Sequence, residues 1–198
     1  MSAPAKKLAT YADLEAVPPH LVAEIIYGSL ETHPRPVIRH ATAMSQLFLE
    51  LANPFDRGRG GPGGWHFLFE PELHLGRNVV VPDIAGWRRE RLPDFPNSAY
   101  IEIAPDWVCE ILSPATSKLD RGPKRAIYAE AGVPYLWLID PQERVIEAFQ
   151  ITAGNWLLVG VATGSDNVRL PPFDAVSFSL DILFPSDPAS SNQTTSQG

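Results

Sequence analysis

Two carboxylates set into apolar runs are the residues of this chain with the clearest capacity for chemistry. Asp83 stands in Val79-Val-Val-Pro-Asp-Ile-Ala and Glu110 in Trp107-Val-Cys-Glu-Ile-Leu. Both runs are short and rich in β-branched and aromatic residues, so both read as buried strands. An ionised carboxylate in a core strand carries a heavy desolvation cost, so each implies a partner, a bound cation or a raised pKa. On neighbouring strands the two would also repel, by roughly 4 kcal/mol at about 4 Å and an effective dielectric of about 20. A divalent cation removes both costs, which points to metal-assisted hydrolysis.

Length and composition set the frame for such a site. With 198 residues and 44% hydrophobic content, one good core is expected. A single domain over 1–185 and a polar, disordered tail over 186–198 follow. The sequence has no apolar stretch of about eighteen residues and no basic-then-apolar leader, so a cytoplasmic location with no membrane partner is expected. Cys109 is the single cysteine and the histidines are at 20, 33, 40, 66 and 74. No internal disulfide or structural zinc pattern can be drawn from these, and any metal should be oxygen-bound. The net charge of −7 counts against a protein that coats nucleic acid non-specifically. Ten of the 16 basic residues nevertheless fall between Arg57 and Arg125, bracketing the two carboxylate runs.

The elements that must position the carboxylates are legible from periodicity and punctuation. Thr10 with Asp13 forms a capping box for a short helix, and Val22 to Thr32 reads as two strands joined at Tyr27-Gly28-Ser29. Met44, Leu47, Phe48 and Leu51 predict an amphipathic helix ending near Asn53-Pro54, with His40 near its start as a capping-region or core histidine. The Gly58-Arg-Gly-Gly-Pro-Gly-Gly stretch contains G-x-G-x-x-G, but a dinucleotide fingerprint needs a strand before it and a helix after it, the reverse of the order here. From Trp65 to Leu75 strict alternation predicts one strand. Its polar face carries His66, Glu70 and His74, a conceivable metal trio, although a solvated face explains the two histidines better. A helix over about Asp120 to Ala131, stopped by Gly132, joins the Glu110 strand to a strand at Tyr135 to Asp140. That βαβ order predicts a parallel pair. Val145 to Ile151 and Trp156 to Ala162 read as a hairpin.

The run from Glu110-Ile-Leu-Ser-Pro-Ala-Thr-Ser-Lys-Leu-Asp-Arg-Gly-Pro-Lys-Arg through Tyr135-Leu-Trp-Leu-Ile-Asp-Pro, with Pro82-Asp83 on the strand before it, resembles the Uma family of restriction endonucleases within the PD-(D/E)XK nuclease superfamily. The resemblance extends from about Thr10 to Phe184. It implies an α/β, restriction-endonuclease-like fold with a mixed central β-sheet flanked by helices. It also implies Mg²⁺-dependent cleavage of DNA, with Mn²⁺ as a substitute. Asp83 and Glu110 would bind one or two metal ions with a main-chain carbonyl near Ile111, and Glu70 would add a third carboxylate. Glu24 lies in a family-like Glu-Ile-Ile-Tyr-Gly segment, where a structural salt bridge is at least as good a reading.

One departure stands out. The superfamily places Lys two residues after the second acid, on the same strand face, and that position here is Leu112. The resemblance moves the role to Lys124 of the following helix, which would hold the attacking water or a phosphate oxygen. On that reading Lys124→Met deletes the ammonium with little loss of stability. Tyr128, one turn later, would support it. Cys109 reads as a buried small hydrophobe, Ser113 has no nucleophile elbow, and Asp140 reads as a turn-capping residue. Expected partners are a DNA substrate and, as an open arrangement, a second copy in a homodimer. Two rival readings remain: an inactive relative that binds nucleic acid or protein, and a small-molecule phosphohydrolase.

Overall fold

The computed structural model describes residues 8–184, so the tail expected to be disordered from Ser186 lies outside the described residues. Thr10 caps α1 (Tyr11–Glu15) through the reciprocal bonds of a capping box with Asp13. The strands β1 (Leu21–Ile26) and β2 (Ser29–Pro34) pair antiparallel. Their turn is made by Tyr27 and Gly28, both at positive φ (48° and 79°), a conformation glycine adopts without steric penalty. Helix α2 (Ile38–Leu51) buries His40, Ala43, Leu47 and Leu51, a spacing of three and four residues that keeps one face inward. It runs on into a π turn, Ala52–Asp56, that accommodates Pro54.

The strand predicted over Trp65 to Leu75 is two strands, β3 (Trp65–Phe69) and β4 (Leu73–Leu75), in different sheets. The Asp83 run splits likewise into β5 (Asn78–Val80) and β6 (Ile84–Arg88). The two crossings lie side by side, because Leu73 pairs with Val80 before them and Phe69 with Ile84 beyond them. Pro71 and Pro82 sit in the two gaps and have no N–H to give a ladder, so both chains leave one sheet at the same level and enter the other. Alternation in the sequence continues through the corner because both halves bury an apolar face. Asp83 and Glu70 therefore stand at corners rather than within strands, Glu70 at a φ of 41°.

The chain continues through β7 (Trp107–Ile111), α3 (Ser117–Leu119), a π turn at Asp120–Lys124, α4 (Arg125–Glu130), β8 (Tyr135–Asp140), β9 (Val145–Thr152) and β10 (Asn155–Thr163) to a two-stranded sheet of β11 (Asn167–Val168) and β12 (Phe178–Ser179) and a 3-10 turn, Leu180–Leu183. The larger sheet has the order β10-β9-β8-β7-β6-β3, and the smaller β2-β1-β5-β4. Only β7 and β8 are parallel in the larger one, as the strand–helix–strand order requires. The chain is thus a mixed sheet flanked by helices, as expected.

Period two along β7 sends Trp107, Cys109 and Ile111 to one side and Val108, Glu110 and Leu112 to the other. The first side packs on α2 and on Phe173, whose ring lies 4.9 to 5.7 Å from those of Trp65, Phe67, Trp107 and Trp137. The second packs on Ile127 and Tyr128 of α4 and on Ile26, Leu73 and Val80 of the smaller sheet. Cys109 is fully buried among apolar side chains. No helix among the described residues is long and apolar enough to cross a membrane.

Gly86 of β6 makes the aromatic packing possible. A Cβ there would lie 2.9 Å from Phe67 Cε1 and 3.3 Å from Trp107 Cε3. Gly86→Ala is expected to lower stability by about 1 to 3 kcal/mol through overpacking. Gly122→Ala, where a Cβ meets nothing within 4 Å, should be neutral or stabilising by up to about 1 kcal/mol. Urea denaturation of the two variants checks both; equal stability of Gly86→Ala and wild type would contradict the packing.

Candidate active site

A cavity of about 200 Å³ opens where the two sheets part, lined by Asp83, Glu110, Lys124, Glu70, Asp120, His33, His40 and Arg35 among others. Each charged residue is delivered by a different local device. Pro82 turns the chain so that Asp83 is placed beside the end of β7, where its Oδ2 accepts the Ile111 amide at 2.6 Å. Its Oδ1 lies 3.2 Å from His40 Nε2, projected by the buried face of α2. Burial pushes the His40 imidazole down, but the Asp83 carboxylate beside it outweighs burial and leaves it raised. The other ring nitrogen, Nδ1, is buried and has no hydrogen-bond partner among the described residues.

Glu110 points from β7 to the side covered by α4, fully within the protein. Its Oε1 accepts from the Tyr128 hydroxyl at 2.5 Å and lies 2.9 Å from Lys124 Nζ. Lys124 belongs to the π turn, where Pro123 interrupts the regular helical ladder, and its side chain is 3% exposed. The ammonium also lies 3.0 Å from Glu24 Oε1 and 3.5 Å from Asp120 Oδ1, and donates to the Val81 carbonyl at 3.1 Å. Glu24 Oε1 in turn accepts the Val81 amide at 2.7 Å, and Oε2 lies 3.5 Å from His33 Nε2. Val81 thus has both main-chain groups bound by a buried ion pair at the point where its strand leaves the smaller sheet.

The electrostatics follow from three carboxylates sharing one ammonium. Burial raises Glu24, but Lys124, His33 and the Val81 amide prevail and hold its carboxyl at about 2. Burial pushes Glu110 well above the usual carboxylate range, with Asp120, Asp83 and Glu24 adding to the rise and Lys124 opposing it. Asp120 is also raised, first by burial. Lys124 is held protonated because Glu110 and Glu24 outweigh its own desolvation.

Asp83, Glu110 and Lys124, singled out in the sequence, line one cavity, and Glu70 stands among the lining residues with its Oε2 3.7 Å from Arg35. His66 and His74 do not join Glu70: the former faces Phe95 and Asp56, the latter stacks on Tyr100 and meets Glu72. The basic residues that bracket the carboxylates in sequence are mostly engaged elsewhere, Arg89 with Asp56, Arg91 with Asp106, Arg121 with Glu147 and Arg125 over Phe149. Leu112 packs in the core. Asp140 accepts from the amides of Gln142 and Glu143, a turn cap. The sequence reading missed the link from His40 to Asp83 and the place of Asp120 in the ion cluster. The available signals were the position of His40 on the stripe with Ala43, Leu47 and Leu51, and the i,i+4 spacing of Asp120 and Lys124.

The donor set suits a hard cation. Glu70, Asp83, Glu110 and Asp120 line the cavity against only two permanent cations, Arg35 and Lys124. Mg²⁺ commonly takes one or two protein carboxylates and completes its shell with water and substrate oxygens. Among the described residues no group of three or more His, Cys, Asp and Glu side chains is arranged to hold a metal ion. The carboxylates that could hold such a cation at this cavity are Asp83 and Glu110.

The burial of Lys124 overturns the expectation that Lys124→Met keeps its stability. Removal of the ammonium leaves Glu24, Glu110 and Asp120 facing one another, and a loss of about 3 to 5 kcal/mol at neutral pH is expected in urea denaturation. The added substitution Glu110→Gln should recover part of it. For Glu24 the folded pKa is depressed, so its contribution is present above about 4.5 and disappears as pH falls through about 2. The stability difference between wild type and Glu24→Gln should shrink over that window; a difference independent of pH would contradict the ion pair.

The model of the Uma2 family, described as "Putative restriction endonuclease", matches residues 8–182. No curated protein matches the chain. A crystal structure described as a putative nuclease belonging to DUF820, from Anabaena variabilis, superposes with a TM-score of 0.71 at 24% identity, covering 89% of this chain and 97% of that one. At that identity the likeness speaks for the fold. A family match over almost all the described residues, on a mixed sheet whose adjacent strands β6 and β7 bring Asp83 and Glu110 to one cavity, places the chain in the Uma2 family.

Proposed function

We propose that this protein is a divalent-cation-dependent endonuclease that hydrolyses phosphodiester bonds of DNA. The observation that carries the reading is the convergence of Asp83 and Glu110, from separate strand ends, on one cavity beside a buried ammonium. Family membership supports the same reaction class. Asp83 and Glu110 would hold Mg²⁺, or Mn²⁺ in its place, with Glu70 a third carboxylate at the same cavity. When bound, the cation supplies water acidification and neutralisation of phosphate charge.

The chain's own residues do the rest. His40 and the Ile111 amide hold the two oxygens of Asp83, while Tyr128 and Lys124 fix Oε1 of Glu110. An ammonium has three N–H donors, and the Val81 carbonyl, Glu24 and Glu110 occupy them at 3.1, 3.0 and 2.9 Å. Lys124 thus orients Glu110 and supplies a fixed positive charge near the phosphate. To hold a water or a phosphate oxygen it exchanges one acceptor, and the neutral Val81 carbonyl is the least costly to release.

A second reading, a nuclease-fold protein that binds nucleic acid without cutting it, is favoured by the absence, among the described residues, of a metal-holding group of three or more side chains. Incubation of purified protein with plasmid DNA separates the two. Cleavage is expected with Mg²⁺ or Mn²⁺ and none in chelator. Asp83→Asn and Glu110→Gln should remain folded by circular dichroism and lose turnover by roughly 100-fold or more. Mn²⁺ at 100 times its dissociation constant should add about 2.7 kcal/mol to the wild type, and this response should fail in Asp83→Asn. DNA binding without cleavage in any metal would favour the second reading, and cleavage that survives chelation would remove the site as drawn.

A further inference from the structure

The segment Arg35-Pro36-Val37-Ile38-Arg39 leads into α2 at the rim of the cavity, and it is unusual in what it exposes. Ile38 is 86% exposed and Val37 69%, the two highest values among the large exposed hydrophobic residues. Neither contributes to the face of α2 that packs on the sheet, which consists of His40, Ala43, Leu47 and Leu51. An isolated exposed aliphatic residue is ordinary. Here two adjacent ones stand together, bracketed by two exposed arginines.

Their position connects them to the site. Val37 lines the cavity that holds Asp83 and Glu110, and it also lines a neighbouring cleft of about 610 Å³. His40, Ser113 and Pro114 are shared by both, and Arg39 lines the second. Val37 thus stands at the boundary between the proposed site of phosphate hydrolysis and a space of the size that takes a small-molecule-sized group. Arg35 is 58% exposed at its side chain, and its contact with Glu70 is long, 3.7 Å, so little free energy holds it there. Helix α2 begins after Val37, its N-cap, without a side-chain cap, so the positive end of the helix dipole lies at the same rim.

An apolar pair between cations is the chemistry that meets a nucleic acid at two levels, charge on the phosphates and apolar surface on the base faces. A membrane or protein partner would account for the aliphatic pair, but it would not explain its continuity with a carboxylate-lined cavity. Resting on the nuclease reading above, we propose that Val37 and Ile38 form a wedge that inserts against the bases of duplex DNA next to the scissile phosphate, with Arg35 and Arg39 on the flanking phosphates. The wedge unstacks a base step and lets the backbone enter the cavity, whose carboxylates repel an undistorted phosphate chain. It makes cleavage sensitive to how readily a step opens, so flexible pyrimidine–purine steps and mismatches are preferred over stiff tracts.

The test uses the full chain and duplex DNA carrying 2-aminopurine, with Ca²⁺ in place of Mg²⁺ so that binding is read without turnover, and plasmid cleavage in Mg²⁺ beside it. Wild type should raise the 2-aminopurine fluorescence on binding. Val37→Ser with Ile38→Ser should abolish the rise and weaken binding by roughly 10-fold or more, with a melting temperature no lower than wild type, because both side chains are already in water and a serine at the N-cap position can cap α2. Ile38→Ser alone, at the more exposed position, should show a partial effect, and Val37→Leu with Ile38→Leu should retain the rise. A double serine variant that binds, unstacks and cleaves like wild type overturns the wedge and leaves the nuclease reading standing. A wild type that cleaves without any fluorescence rise does the same. A wild type that neither binds nor cleaves DNA removes both.

Discussion

The Lys124 ammonium is the interaction on which the rest of the site depends. It lies within 3.5 Å of carboxylates from three separate elements, Glu24 on β1, Glu110 on β7 and Asp120 in its own π turn, and it also donates to the Val81 carbonyl between β5 and β6. One point charge therefore ties the smaller sheet, the larger sheet and the crossover helix at a single place. Buried carboxylates without this partner would repel one another in a low dielectric, and the sheets could not close over them. The same contact orders the ionisation of the group, with Glu24 depressed and Glu110 raised.

The crossing of the chain between the sheets is the second constraint, and it is coupled to the first. At Val81 the strand loses its ladder partners, and Pro82 has no amide to offer. The main-chain groups freed there are taken up by the ion cluster, the amide by Glu24 and the carbonyl by Lys124. Asp83 follows at once, its carboxylate bound by the Ile111 amide, and its carbonyl accepts the Glu70 amide at 3.0 Å from the neighbouring, antiparallel crossing. A carboxylate at such a corner is held by the Ile111 amide on one oxygen and by His40 on the other while it lines the cavity. Both Asp83 and Glu110 line the cavity, but Glu110 is the more deeply buried and has its Oε1 engaged by Tyr128 and Lys124.

Much of this was legible in the residues. The βαβ unit from Glu110 to Asp140, the face of α2, the capping box at Thr10 and the β9–β10 hairpin all rest on local periodicity and on punctuation by proline and glycine, which neighbouring residues in sequence determine. The split of the Trp65–Leu75 and Val79–Ala85 runs was not legible. Alternation is preserved across both corners, and the change of sheet depends on which strands stand opposite, a relation between residues distant in sequence. The positive charge from Arg88 to Arg125 misled for a similar reason: most of those side chains are taken by Asp56, Asp106, Glu147 or an aromatic ring.

The sequence by itself determined the chemistry available to this protein: acids at 83 and 110 within apolar runs, a leucine at 112, a lysine at 124, and helices and strands of the right kind to carry them. Residue type and local spacing suffice for that, because desolvation and backbone propensity act on each segment separately. Only the tertiary structure decided which charges meet. Whether Lys124 is a solvated surface residue or the common partner of three carboxylates depends on the packing of a π turn against two sheets. Whether His40 is a core residue or the support of Asp83 depends on where a corner falls. Those distances come from the closure of the whole chain, and a low-dielectric interior makes each of them count.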